Sequence, residues 1–355
     1  MAEALLSTPL GGRIERALVV APDGTPASFE DPRVELLRAA HPDPDRRSVL
    51  AARRALDLVR HCDWVLALIS GGASSLICSP EGVSLARYVR VVRAVLLGGA
   101  TVREVNVVRR HLCAVKGGGL ALAAGGPVAT LIVSDVVAGT PHDVGSGPTV
   151  ADPTTCADAS EVLRRFAPRL PIPAFRESLK PSSREARGLS ARVVASPEDL
   201  SQAVAGALRA RGMAVRILPS SIAASAELCL EYAARARRLR PGEALVRSAE
   251  PSLRMPHRQA GRGGRCTHLA TLLAGCLPDG VAFLAGASDG VDGTSGTGGA
   301  VVDNSLVTRT SHLRVQRALA SFDTGPLLRR AAMSLPGLPS GYNFADVHVL
   351  ARTCG

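Results

Sequence analysis

Aromatic residues make up only 3% of the 355-residue chain. Proteins that grip single-stranded nucleic acid need exposed rings for stacking, so no nucleic-acid partner is expected. Lysine is almost absent. Lys116 and Lys180 are the only two among 42 basic residues, the rest being arginine. The eight cysteines include no C-x-x-C pair, which argues against a zinc site and for reduced thiols. No uninterrupted apolar run is long enough to cross a bilayer, so no membrane partner is expected. The opening stretch MAEALLSTPLGGR has neither a basic leader nor a long apolar core, so no signal peptide is read there. The expectation is a soluble, cytoplasmic protein, with monomer and homodimer both open.

What is present is a chain of 46% hydrophobic residues with 35 glycines, long enough for two α/β domains. Its net charge of +11 is spread over scattered arginine doublets such as Arg53-Arg54, Arg164-Arg165 and Arg329-Arg330. Solvated helix faces and a polyanion-binding surface both fit that pattern, and small anionic substrates fit the same charge.

Short apolar runs at 16–20, 64–69, 127–133, 191–195 and 214–219 read as buried strands. Residues 45–61, 84–97, 101–113, 158–167, 198–211 and 222–239 carry helical periodicity between them. Alternation of this kind predicts an α/β fold, with a Rossmann-like parallel sheet flanked by helices and ligands met beyond the carboxyl ends of its strands. The charged stretch 235–246, with Pro241-Gly242, marks a candidate boundary. It divides the chain into an N-terminal domain, 1–238, and a second, smaller α/β domain, 239–355. The latter holds a helix-like stretch at 266–277, a strand at 280–286 and a Gly/Asp/Thr/Ser loop at 287–300. Residues 170–183 read as an exposed connector.

The run WVLALI empties into SGGASSL, residues 70–76. Gly71 and Gly72 permit close backbone approach, and Ser70, Ser74 and Ser75 add hydroxyls before a helix start. Such a turn either cradles an anion or merely connects strand to helix. It is not the G-x-x-x-x-G-K-[ST] phosphate loop. In EVNVVRRHLCAVKGGGLA, Asn106 and Arg109 lie three apart on one helix face, and Lys116 precedes a glycine run. The cluster suits a carboxylate or phosphate, although a solvated helix with a glycine cap has the same look. Ser134 and Asp135 end a strand ahead of G-S-G-P-T, which contains Ser146 and Gly147; an Asx-turn is the alternative there. Asp289 and Asp292 sit in a glycine loop where they could meet Mg2+ or a hydroxyl. The spacing is not that of a calcium loop.

Together SGGASSL, NVVRRHLCAVKGGGLA, SDV…GSGPT, GRGGR, SDGVDG…GAVVD and GYNFADV resemble the glycerate 2-kinase family, in order from about residue 12 to residue 351. The resemblance implies a DUF4147-type N-terminal domain, a MOFRL-type C-terminal domain and an active site in the cleft between them. It also implies phosphorylation of D-glycerate at its 2-hydroxyl by ATP and Mg2+. Some members carry the label hydroxypyruvate reductase, but no G-x-G-x-x-G follows the first strand here. Carried over by position, Ser70 to Ser75 match the family's anion loop, with Ala73 in place of a glycine. Asn106, Arg109 and Lys116 match the second block, and Ser134, Asp135, Ser146 and Gly147 the third. Arg265 falls on an arginine that supports phosphoryl transfer, Asp289 on a G-T-D-G aspartate and possible metal ligand, and Asn343 and Asp346 on a closing G-T-N-x-x-D. The resemblance thus implies catalytic roles for Arg265, Asp289 and Lys116.

The sequence also departs from the family. Members begin with an earlier strand ending in a G-K-A-A turn whose lysine acts in catalysis, and this sequence starts downstream of it. Cys266-Thr267-His268 replace Asn-Gln-Glu, Ala287-Ser288 replace Gly-Thr, and Tyr342 replaces a threonine. Two accounts stay open: the true start lies upstream of Met1, or the chain is an impaired paralogue that binds glycerate-like or nucleotide anions without turnover.

Overall fold

A computed structural model describes residues 1–25, 29–253 and 261–353. The chain forms two compact units. The first comprises residues 1–134 and 139–194, the second residues 135–138 and 195–355.

In the first unit β1 (Ala17–Pro22) pairs in parallel with β2 (Val34–Ala39), and β3 (Val65–Ile69) in parallel with β4 (Val128–Val133). β5 (Leu189–Ala195) completes a three-stranded sheet in the order β3-β4-β5. The helices begin where side chains can cap free amides. Asp45 accepts from Arg47 and Ser48 at the start of Arg46–Arg60, Thr101 and Glu104 box the start of Val102–His111, and Thr155 and Asp158 do so for Cys156–Phe166. Their apolar faces, with that of Leu85–Leu97, enclose a core that includes Ala51, Tyr88, Val92, Val108, Leu112 and Leu163.

Residues 170–183 correct the sequence reading. They are irregular but docked, not an exposed connector. The Arg176 and Leu179 amides donate to the His111 and Gly117 carbonyls (3.0 and 2.9 Å), and Ser178 and Leu179 are buried. The three prolines and mixed polarity that suggest a connector also suit an extended strap whose hydrogen bonds go to neighbouring loops.

The second unit is built on a seven-stranded sheet. Its order is β11 (Ser334–Leu335), β10 (Gly299–Val302), β9 (Val281–Ala287), β12 (Asp346–Arg352), β8 (Glu243–Ser252) and β6 (Ala214–Ile217), and β7 (Ser221–Ala224) also pairs β8. β12 runs antiparallel to both neighbours, whereas β6 and β7 take successive halves of β8 in parallel. The units divide at 194/195, ahead of the 238/239 boundary read from sequence, because residues 195–238 contribute two strands of this sheet. The core includes Leu228, Tyr232, Leu269, Leu273, Phe283 and Leu328.

The seven described cysteines are all free. Among the described residues no helix is long and apolar enough to cross a membrane.

Candidate functional site

In the first unit three sequence blocks interlock around the turn that leaves β3. Gly72 has φ +80° and caps the short helix Ala73–Leu76; the His41 ring stands 3.2 Å from where a Cβ would be. The positive φ calls for glycine, and a side chain there would also press on the His41 ring. The Ser75 hydroxyl is buried and donates to the Gly72 carbonyl (2.9 Å), so it braces the turn instead of facing a ligand. Among the described residues the Gly71 and Gly72 amides have no acceptor.

The helix Val102–His111 brings Asn106 and Arg109 to this turn. Buried Asn106 donates to the Asp143 carbonyl (3.0 Å) and accepts from the Ser146 hydroxyl (2.8 Å). Arg109 reaches toward the Ser74 hydroxyl (3.5 Å) and Asn106 Oδ1 (3.4 Å). No carboxylate among the described residues pairs with it. The next residue behaves oppositely: Arg110 is buried on Asp152 (3.1 Å). Gly147 has φ +59° and its carbonyl accepts from Gly118 at 2.8 Å, while Ser146 O accepts from Gly117, so G-S-G-P-T lies on the glycine run after Lys116. Ser134 is buried just past the end of β4, and Asp135 follows it.

Lys116 lies elsewhere than its expected catalytic role requires. Its side chain is buried, and its ammonium donates to the Ile77 carbonyl (2.8 Å) beside the Cys113 sulfur (3.6 Å). Burial pushes the Cys113 thiol up, but the hydrogen bond from Cys78 and the Lys116 ammonium outweigh burial and hold it below the ordinary thiol range. Lys116 therefore supports the segment behind the turn.

In the second unit Arg265 opens the helix Arg265–Ala274 and is held between Glu250 (2.8 Å) and Asp346 (3.4 Å), with its side chain 41% exposed. Asp346 sits at the start of β12, buried, with Oδ2 unpartnered among the described residues. Burial pushes its carboxyl up to about 7, and Asp292 adds in the same direction while Arg265 opposes. Sequence reasoning did not single out Glu250 as the partner of Arg265. The one available signal was a carboxylate near the end of a stretch that proves to be β8.

Asp292 is committed to the fold. Its two oxygens accept from the Cys266 and Thr267 amides (2.9 Å each) and cap the helix that Arg265 begins. Asp289 is half-buried; one oxygen accepts from the Val291 amide (2.9 Å) and the other has no partner among the described residues. Asn343 accepts from the Ala345 amide (3.0 Å), closing the turn into β12.

His111, Cys156 and Glu177 have donor atoms within 4.8 Å of one another. The His111 Nδ1 is held on the Arg176 carbonyl (2.7 Å) and Glu177 on Lys180 (2.7 Å), so this cluster is not arranged for a metal.

The two units have separate family matches. Residues 1–179 match DUF4147, a domain of unknown function, and residues 243–346 match the MOFRL family. A glycerate 2-kinase of Pyrococcus horikoshii is 30% identical over 351 residues, spanning 90% of this chain and 78% of the relative. A putative hydroxypyruvate reductase of Agrobacterium vitis is 36% identical over 312 residues, spanning 82% and 81%. The crystal structure of a glycerate kinase from Thermotoga maritima superposes with a TM-score of 0.86 at 26% identity, over 99% of this chain and 88% of that one.

Proposed function

The chain belongs to the glycerate 2-kinase family, and on that footing we propose that it phosphorylates D-glycerate at the 2-hydroxyl, with ATP and Mg2+. The observation that carries this reading is Arg109, a cation without a carboxylate partner beside the open amides of Gly71 and Gly72. A backbone nest next to an uncommitted guanidinium suits a phosphate or carboxylate group. Asn106 and Ser146 hold the shape of that nest through their mutual hydrogen bond and the bond from Asn106 to the Asp143 carbonyl.

Arg265 carries the second role. Glu250 and Asp346 fix its guanidinium, and its exposed portion can offset charge developing on a transferred phosphoryl group. Asp289 suits Mg2+ better than Asp292, because Asp289 keeps one carboxylate oxygen without a partner among the described residues while both Asp292 oxygens already accept a backbone amide. When bound, Mg2+·ATP supplies the phosphoryl group and neutralises part of its charge. Asp289 would hold the metal.

A second reading, anion binding without turnover, draws on Lys116, which is buried and so adds no charge at the ligand. Phosphorus NMR of protein incubated with D-glycerate and Mg2+·ATP separates the two. The kinase gives a new phosphomonoester signal, and the binder gives calorimetric heat with ATP unchanged. A chain that instead oxidises NADPH with hydroxypyruvate overturns both.

A further inference from the structure

We propose that the second unit carries a phosphate-anion site made by Arg262, Arg329 and Arg330, which Arg265 does not line. It begins with the glycines of GRGGR. A Cβ on Gly261 would stand 2.4 Å from Cβ of Asp323, and one on Gly263 2.5 Å from the Phe322 carbonyl oxygen. Only glycine lets this loop lie flat on residues 321–325. Three hydrogen bonds fasten it there: Gly261 N to the Ser321 carbonyl (2.8 Å), Arg262 N to Asp323 Oδ1 (2.9 Å) and Gly325 N to the Arg262 carbonyl (2.9 Å). Arg262 is thus fixed at the backbone beside the helix Thr324–Arg330.

That helix supplies the rest. Asp323, Pro326 and Arg329-Arg330 recur at helical spacing, and with Arg262 they line a cavity of about 430 Å³. Arg329 is anchored on the Ser295 carbonyl, which leaves most of its donors open. Among the described residues neither the Arg262 nor the Arg330 guanidinium has a hydrogen-bond or ion-pair partner. Three guanidiniums against the single carboxylate of Asp323 leave an excess of two positive charges on one concavity. A singly charged carboxylate would not balance that, whereas a doubly charged phosphate would, and the guanidinium fork matches its oxygens. The cavity has the size of a small-molecule site.

The site stands whether or not the kinase reading does. The test is calorimetry with inorganic pyrophosphate on the full chain, at two ionic strengths, with Arg238→Ala as the control. Saturable binding is expected, weaker at high salt. The paired substitution Arg262→Ala/Arg330→Ala should weaken it by at least about tenfold, Arg330→Lys should fall between, and Arg238→Ala, which removes an exposed arginine outside both sites, should leave it unchanged. Thermal melts of the variants should match the parent, because these side chains are exposed. Displacement of pyrophosphate by ATP assigns the site to a nucleotide's phosphates, and displacement by 2-phosphoglycerate to a phosphorylated acid; either supports it. Absence of binding at millimolar pyrophosphate overturns the proposal, as does equal affinity in the paired variant.

Discussion

The Lys116 ammonium donates to the Ile77 carbonyl at 2.8 Å, 39 residues back in the chain. The Ser79 amide donates to the Cys113 sulfur at 3.2 Å, and that sulfur in turn lies 3.6 Å from the ammonium. Lys116 and Cys113 therefore grip both sides of the segment that leaves the Gly71-Gly72 turn. Replacing Lys116 with Met leaves a buried carbonyl without its donor, at a cost of about 1–3 kcal/mol. The urea midpoint should fall and anion binding should weaken with it. An unchanged midpoint would show that the ammonium does not support the turn.

Arg265 is exposed enough to meet a ligand and is fixed by two carboxylates. Arg265→Ala should lower kcat/KM for D-glycerate by about a hundredfold or more, mostly in kcat. Arg265→Lys keeps the charge but loses the fork, so it should recover only part. A loss within about twofold would remove Arg265 from the mechanism.

Asp346 gives a pH dependence of definite sign. Its folded pKa, about 7, lies above the ordinary carboxylate value, chiefly through burial. The native state therefore holds a proton that the unfolded chain has released. This contribution to stability is complete at low pH and is lost as pH rises from about 4 to about 7. Asp346→Asn escapes that loss, so its melting temperature relative to the parent should climb across this window. A difference independent of pH would contradict the assignment.

Asp292 should act on stability and not on turnover. Asp292→Ala strips the cap from the helix Arg265–Ala274, at a cost of about 0.5–2 kcal/mol. The melting temperature should fall while kcat, measured well below the melt, holds. Lost turnover with an unchanged melt would return Asp292 to the catalytic set.

Elements with a single strong periodicity were legible from the sequence. β3 and β4 are short apolar runs bounded by turn residues, and the helix Val102–His111 falls within the helical periodicity of residues 101–113. β8 was not, because EALVRSAEPS carries Arg247 and Ser248 in buried positions and so resembles a linker. β12 hides a buried aspartate and a buried histidine in the same way. At the site the glycine turns could be read, since positive φ and close approach demand glycine. The direction of a charged side chain could not. Lys116 and Arg109 are both cations within one block, yet one meets a carbonyl in the core and the other stands open beside the turn. That choice is made by tertiary neighbours such as Ile77 and Cys113, which local spacing does not encode.

The most direct test of phosphoryl transfer at this turn is the rate of ADP release against D-glycerate concentration, for the parent and for Arg109→Ala. The parent should release ADP in a saturable, glycerate-dependent manner, and removal of the guanidinium should lower kcat/KM by about tenfold or more while the fold is kept. ADP release that ignores glycerate, or an Arg109→Ala variant as fast as the parent, would contradict the account.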